Sequence, residues 1–476
     1  MYARYLASEL VLGGAGLLLL LLKVAGRPLR VSGATALTAF SLLVAEWSLW
    51  PLRGENLSLL GGTVLLDPLA FYFKTLLLGT ALLTVIGAAG WTRRHPETVP
   101  DFHALLLLET AALMLMVSAG ELLSLYLALE ASVSIFFALA VLQPGRPTAL
   151  EATLKYVLVA GVSAAFLLYG MSFLYGFTGT TNLEEIGVRF GSLPWTPLLL
   201  LAGLLVLTGF GFKLAVVPFH FWSPDVYQAA PTPVTAYLAV ASKAAGLGVT
   251  VRFFATALSA LTPAWSSAFA GVAAATVVFG NLAAIPQTDL KRLLAYSSIA
   301  QSGYLFLGLA ALSAPGFSAA LFYAALYTAS NLAAFFVVIA WEEAAGQTDL
   351  AAFAGLARRA PFLAAALLVA LLSLGGLPPL AGFIGKLTLF LAVVHAGQFW
   401  LAFIAVTMSV VSVYYYLNVV RVMYVEPEPA SAATPARVAP TTLLAIALTV
   451  LGTLLLGVYP AWLLRAADWA TRLFWG

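Results

Sequence analysis

Long apolar runs, separated by short clusters of Pro, Gly and charged residues, fill the chain from end to end. A helix needs about 20 apolar residues to cross the hydrocarbon core of a bilayer. The pattern predicts spans near 5–22, 31–50, 66–91, 102–119, 121–143, 153–177, 195–221, 232–256, 264–285, 291–312, 316–341, 361–396, 399–424 and 440–465. The expected fold class is therefore an all-α polytopic membrane protein with about 14 transmembrane helices. Two spans are discontinuous. The seventh is interrupted at Val217-Pro218-Phe219, and the twelfth is long and broken at Gly375-Gly376-Leu377-Pro378-Pro379. The first span leads into Lys23, Arg27 and Arg30 without a comparable basic region before it, so it reads as a retained helix and not as a signal peptide.

Composition narrows the classes. Of 476 residues, 62% are hydrophobic and only 9% are charged, against about 25% charged in a soluble domain. No soluble domain of useful size remains. Zero Cys removes disulfides, thiolate nucleophiles, iron–sulfur ligation and Cys zinc sites. Four scattered histidines, His95, His103, His220 and His395, do not offer paired haem ligands. No Walker A, dinucleotide-binding or HExxH pattern is present. The net charge of +3 comes without a basic run that would suit nucleic acid.

Basic residues instead orient the chain. With the N-terminus outside, the inner flanks hold Lys23, Arg27, Arg30, Arg93, Arg94, Arg146, Lys155, Lys291, Arg292, Arg358, Arg359, Arg421 and Arg437. The outer flanks hold Arg4, Arg53, Arg189, Arg252, Arg465 and Arg472. Short cytoplasmic loops retain Lys and Arg, so both termini are expected on the non-cytoplasmic side. Trp47, Trp50, Trp91, Trp222 and Trp341, near proposed span ends, read as interface anchors. Glu426 to Pro440, rich in Pro and Ala, reads as a linker before the last helix.

Embedded charges carry the candidate chemistry. An ionisable side chain near the bilayer centre is costly and defaults to a functional reading. Glu130 in the fifth span, Lys213 in the seventh, Lys243 in the eighth and Lys386 in the twelfth are such residues. Removal from water disfavours the charged form of amines and carboxyls alike, which suits groups of these kinds to proton relay. Any one embedded lysine reads equally as a structural ion pair; three of them with a glutamate, two beside helix breaks, favour a relay. Lys74 lies near enough to its span end to snorkel, and Glu109 has no other support in the sequence. His220, two residues after Pro218, is a candidate relay member or a satisfied polar residue. Tyr156, Ser242 and Thr388 are candidate hydroxyl relay groups that read first as residues hydrogen-bonding routinely within a membrane bundle.

The breaks fall five spans apart, and Gly-Phe precedes the lysine by four and three positions in both Gly209-Phe210-Gly211-Phe212-Lys213 and Gly382-Phe383-Ile384-Gly385-Lys386. Paired breaks in corresponding positions are the trace of an inverted repeat with its site at the midplane. The expected organisation is an N-terminal three-helix segment (1–100), a first repeat of helices four to eight (101–260), a second, inverted repeat of helices nine to thirteen (261–425), and a linker with the last helix (426–476).

The stretch Phe212-Lys213-Leu214-Ala215-Val216-Val217-Pro218-Phe219-His220-Phe221-Trp222-Ser223-Pro224-Asp225-Val226-Tyr227-Gln228-Ala229-Ala230-Pro231-Thr232-Pro233-Val234 resembles the antiporter-like membrane subunits of proton-pumping NADH-quinone oxidoreductase (respiratory complex I), most closely the subunit N type. Glu151 to Tyr156, Asp289 to Ile299 and Leu377 to Phe383 support the likeness, which covers roughly residues 100 to 425. Ala229-Ala230 departs from the family's usual Gly-Ala. The resemblance implies fourteen helices, two inverted five-helix repeats and a polar axis through Glu130, Lys213, Lys243 and Lys386. It also implies that NADH, FMN, iron–sulfur clusters and quinone are handled by partner subunits, with no cofactor in this chain. The implied partners are other membrane-arm subunits, of the M, K, J and L types, in a bacterial inner membrane. A stand-alone or Mrp-type cation/proton antiporter is the competing reading; the twelfth-span lysine argues against it.

Overall fold

The computed structural model describes residues 2–143, 147–193, 196–428 and 438–474. Arg146, Arg437 and most of the segment read as a linker lie outside the described residues. The first helices are α1 (Ala7–Val24), α2 (Val31–Leu49), α3 (Pro68–Gly87), α4 (Ala89–Arg94), α5 (Val99–Val117), α6 (Leu122–Ala140) and α7 (Pro147–Thr178). Next come α8 (Leu183–Gly191), α9 (Pro197–Leu214), α10 (Trp222–Ala229), α11 (Thr232–Thr256), α12 (Thr262–Ala284), α13 (Leu290–Ala310) and α14 (Ala314–Ala345). The chain closes with α15 (Leu356–Arg359), α16 (Pro361–Gly375), α17 (Ala381–His395), α18 (Phe399–Tyr424), α19 (Pro440–Val458) and α20 (Ala461–Thr471).

Among the described residues, 12 helices are long and apolar enough to cross a membrane. To these the structure adds α2, which has the length but carries Thr38, Ser41 and Glu46, and the pair α16 and α17, 15 residues each, which share the twelfth span. Fourteen crossings result, as expected. The last span is shorter than expected: it ends at Val458, because Pro460 has no N–H to continue the helix. Beyond the proline stands a separate helix, α20, whose Leu463, Ala467 and Ala470 are buried against α3 and α14. A small hairpin, Leu57–Leu59 paired with Val64–Leu66, interrupts the helical pattern without being predicted by it; its turn uses Gly61 and Gly62 at φ 71° and 98°, where glycine is favoured.

Helices α11, α13 and α14 are buried almost along their whole length, whereas α1, α7, α18 and α19 keep most of their surface open. The buried trio is therefore where polar side chains are shielded from lipid. Three of the five proposed Trp anchors belong to packing: Trp91, Trp222 and Trp341 are buried, while Trp47 and Trp50 are exposed. The Trp222 indole donates to the Phe212 carbonyl at 3.2 Å, and Arg359 covers the Trp341 ring at 4.6 Å; a ring with such partners gains more inside than at the interface.

Two buried ion pairs fix the N-terminal segment. Lys74 does not snorkel; it is fully buried on α3 and meets Glu9 of α1 at 2.6 Å. Arg252, expected on the outer flank, is buried on α11 and grips Asp67 through two bonds of 2.6 and 2.9 Å, while its Nε donates to the Val117 carbonyl. Asp67 also caps α3 by accepting from the Ala70 amide at 2.8 Å. Burial alone would raise the Asp67 carboxyl, but the charge and hydrogen bonds of Arg252 outweigh it and hold it below the usual carboxylate range. The contribution of the pair is thus present above the unfolded carboxylate pKa and is lost as pH falls through the lower folded value. Arg252→Leu, which strands a buried carboxylate, is expected to cost about 3–5 kcal/mol. Thermal unfolding of the purified protein would read this loss, and the Asp67→Leu, Arg252→Leu double variant should recover part of it.

Candidate functional site

The first break starts with Ala215, whose left-handed conformation (φ 53°) ends α9 one residue after Leu214. A helix end leaves its last carbonyls without intrahelical partners, and here other helices supply them. The Phe212 carbonyl accepts from Trp222, the Lys213 carbonyl from Ser242 at 3.3 Å, and the Leu214 carbonyl from Lys243 at 3.1 Å and Ser302 at 2.6 Å. Beyond the turn, the Val217 amide donates to Thr276. Ser242 therefore bonds across to the break, as a hydroxyl within a membrane bundle is expected to.

The Lys213 side chain turns toward α5 and α6. Its Nζ donates to the Ser132 hydroxyl, which donates on to Glu109 Oε1 at 2.5 Å; Glu109 and Lys213 themselves are 3.8 Å apart. All three are buried. Among the described residues, Glu109 is the carboxylate that lies within ion-pair distance of Lys213. Glu130 is half-buried and stands two residues before Ser132 on α6, so the two side chains leave the helix on different faces. Glu109 is the embedded acid with least support in the sequence, yet a signal for it exists: Ser132, two positions from the favoured acid, points to the other one.

Lys243 is the most fully enclosed of the three lysines in polar contacts. Its ammonium donates to the Leu214 carbonyl across the break, to the Ser298 carbonyl at 2.8 Å and to the Ser302 hydroxyl at 2.5 Å. Ser298 also bonds Tyr327 at 2.8 Å, and Tyr327 donates to the Ala239 carbonyl.

The second break repeats the plan with different parts. Gly376, at φ 83°, ends α16, and Lys386 from α17 donates to the Gly375 carbonyl at 3.1 Å and to Ser409 at 3.0 Å, with its Nζ 4.5 Å from the centre of the Tyr304 ring. The Leu374 carbonyl accepts from Gln301 at 3.2 Å. Gln301 in turn accepts from Tyr323, and Ser297 is bonded to Tyr416.

Helix α13 stands between the two breaks. Ser298 and Ser302, four apart, share the face toward Lys243, and Ser297 and Gln301, also four apart, share the face toward the second break. The family-like stretch marks only the start of this helix, Asp289 to Ile299; the Ser-Ser-x-x-Gln-Ser pattern at 297–302 is the signal that points to its middle.

The remaining candidates sit apart. The His220 ring lies 4.3 Å from the centres of both Phe221 and Phe279, and among the described residues no side-chain hydrogen bond joins it to a lysine. Tyr156 packs with Phe136, Phe212 and Trp222, and Thr388 donates within its own helix to Gly385. Among the described residues no group of three or more His, Asp or Glu is placed to hold a metal ion.

Comparisons with known proteins bear on the fold and the family. A family model described as NADH:quinone oxidoreductase/Mrp antiporter, TM, matches residues 119–412, which include both breaks. NADH-quinone oxidoreductase subunit N of Moorella thermoacetica is 46% identical over 401 residues, 84% of each chain, and that of Heliobacterium modesticaldum is 44% identical over 409 residues, 86% of each. A chain of respiratory complex I from Thermus thermophilus with bound Aureothin superposes with a TM-score of 0.81 at 35% identity, covering 96% of this chain and 98% of that one. A chain of the Mrp complex from Dietzia reaches 0.87 over 98% and 97% at 21% identity, a likeness of fold alone. Matched through both interrupted helices and along most of its length, the chain belongs to the NADH:quinone oxidoreductase/Mrp antiporter membrane family, in its subunit N branch.

Proposed function

We propose that this chain is a proton-translocating membrane-arm subunit of an NADH-quinone oxidoreductase, a translocase in which quinone reduction in partner subunits drives proton movement here. The observation that carries the reading is the buried polar line from Glu109 and Lys213, past Lys243 at the first break, around α13, to Lys386 at the second. Lys243 and Lys386 donate to backbone carbonyls freed by the breaks, and Lys213 projects from the helix that ends at the first break, so a shift in helix geometry changes how well each ammonium is held. Such a shift would load or release a proton, and a redox event elsewhere could bias it through contacts along the arm.

Glu130 joins this reading as the half-buried second acid of the first repeat, with 101–260 and 261–425 as the two inverted repeats. NADH, FMN, clusters and quinone belong to partner subunits in the proposal, and membrane-arm subunits of the M, K, J and L types are the neighbours. A bacterial inner membrane is part of the proposal, and the excess of Lys and Arg on one set of loops supports both termini on the non-cytoplasmic side.

Affinity purification of the chain from native membranes tests the reading against a stand-alone antiporter. Flavin- and cluster-bearing subunits that co-purify with quinone reductase activity are expected. Cation/proton exchange by the isolated chain, without such partners, would establish the antiporter instead. Within the assembled complex, Glu109→Gln is expected to lower proton pumping by about tenfold or more, a larger loss than Glu130→Gln gives. The reverse order, measured in vesicles, would make Glu130 the working partner of Lys213.

A further inference from the structure

A groove of about 570 Å³ opens between the start of α2, the end of α4 and the start of α19. Its mouth is formed by Arg30 and Arg93, its floor by Thr35, Ala39 and Ala89. Both arginines are exposed, and among the described residues neither makes an ion pair. The nearby Arg94 differs, since it donates to the Glu343 backbone carbonyl, and the Glu343 carboxylate lines the adjoining cavity with Arg93 and Arg94. Helices α2 and α19 both begin at this mouth without a side-chain cap, so first-turn amides there add donors where an anion would sit.

Below the mouth the surface is apolar in one direction only. On α2, Phe40, Leu43 and Trp47 are 65%, 55% and 77% exposed, and with Ser32 and Ala36, both also exposed, they follow spacings of four, four, three and four that put them on one helix face. On α19, Leu444, Leu448 and Leu451 are likewise open. An anion-binding head above two apolar tracks running along the bilayer normal matches one kind of ligand.

We infer that this groove binds an anionic phospholipid, its phosphate held by Arg30 and Arg93 and its acyl chains lying along α2 and α19. A water-soluble anion would not use the apolar tracks, and a zwitterionic lipid would gain less from two arginines with no acidic partner. Basic pockets between helices at the membrane surface suit anionic headgroups, with each Lys or Arg contributing measurably. The site lies in the N-terminal segment and its first neighbours, away from the lysine line, so lipid binding and proton transfer are separable.

The test uses the assembled complex in nanodiscs of equimolar phosphatidylglycerol and phosphatidylcholine, with retained lipid counted by native mass spectrometry. The intact complex is expected to keep phosphatidylglycerol in preference to phosphatidylcholine. The Arg30→Gln, Arg93→Gln double variant should lower that preference by about tenfold or more, while Arg53→Gln, on the opposite loops, leaves it unchanged. Quinone reductase activity checks that the double variant assembles; if it does not, preference in the intact complex decides. Equal retention of the two lipids, displacement of phosphatidylglycerol by millimolar inorganic phosphate, or a partner subunit found covering the groove would each overturn the inference.

Discussion

Lys243→Ala is expected to lower proton pumping by about a hundredfold in vesicles carrying the assembled complex, with quinone reduction falling alongside because the two are coupled. The size reflects position. This ammonium reaches the Leu214 carbonyl at one break and two serines of α13 at once, so nothing else on the line can substitute for it. Loss of the side chain also removes a cap from the break, and a purely structural role would produce a defect too. Lys243→Arg separates the two. Guanidinium can still donate to the freed carbonyl, yet it stays charged and does not exchange protons in this range. The relay predicts normal assembly with pumping still lost; pumping restored by Arg would reduce Lys243 to a positioning residue.

The second large effect is expected at Gly382. A Cβ there would overlap the Ser373 carbonyl oxygen and stand 2.7 Å from its carbon, and the Gly382 amide already donates to the Ser373 hydroxyl at 3.0 Å. The two halves of the twelfth span touch backbone to backbone at this point, so Gly382→Ala must push α16 and α17 apart. Overpacking of this kind costs about 1–3 kcal/mol, and it moves Lys386 away from the Gly375 carbonyl. Expected results are a lower unfolding temperature and pumping reduced in proportion more than assembly. Gly209→Ala makes the comparison: its Cβ would meet the Leu167 Cβ at 2.7 Å, a shallower overlap than the one with the Ser373 carbonyl oxygen, so a smaller loss is expected. Equal losses at the two sites would mean that the Gly382 contact is not what sets the break.

Much of the architecture is legible in the sequence for physical reasons. Crossings announce themselves because hydrocarbon demands about 20 apolar residues in a row, and both breaks do because Gly and Pro interrupt those runs. Embedded lysines stand out against an apolar background. What the chain does not reveal is which side of a helix faces which neighbour inside a bundle, since lipid-facing and buried positions are both apolar. That is why Glu109, not Glu130, proves to meet Lys213, why Lys74 finds Glu9 and does not reach for the surface, and why Trp222 and Trp341 are inside. The polar residues of α13 are plain in the sequence, but serines are common enough in membrane helices that only their partners on two neighbouring breaks give them meaning.

The two adjacent faces of α13, one toward each break, have a consequence for timing. No side-chain hydrogen bond among the described residues joins Ser298 or Ser302 to Ser297 or Gln301, although Tyr327 and Tyr323, one turn apart on α14, each bond one side. Hydroxyls and an amide can pass a proton along but cannot store one near neutral pH. In the proposed relay, Lys243 and Lys386 are then two reservoirs separated by a link with no capacity of its own. A proton leaving one must arrive at the other in a single event, gated by rotation of a few hydroxyl groups or entry of water. Exchange between the two halves is then a switch with discrete counts, and its rate is set by how often that link closes.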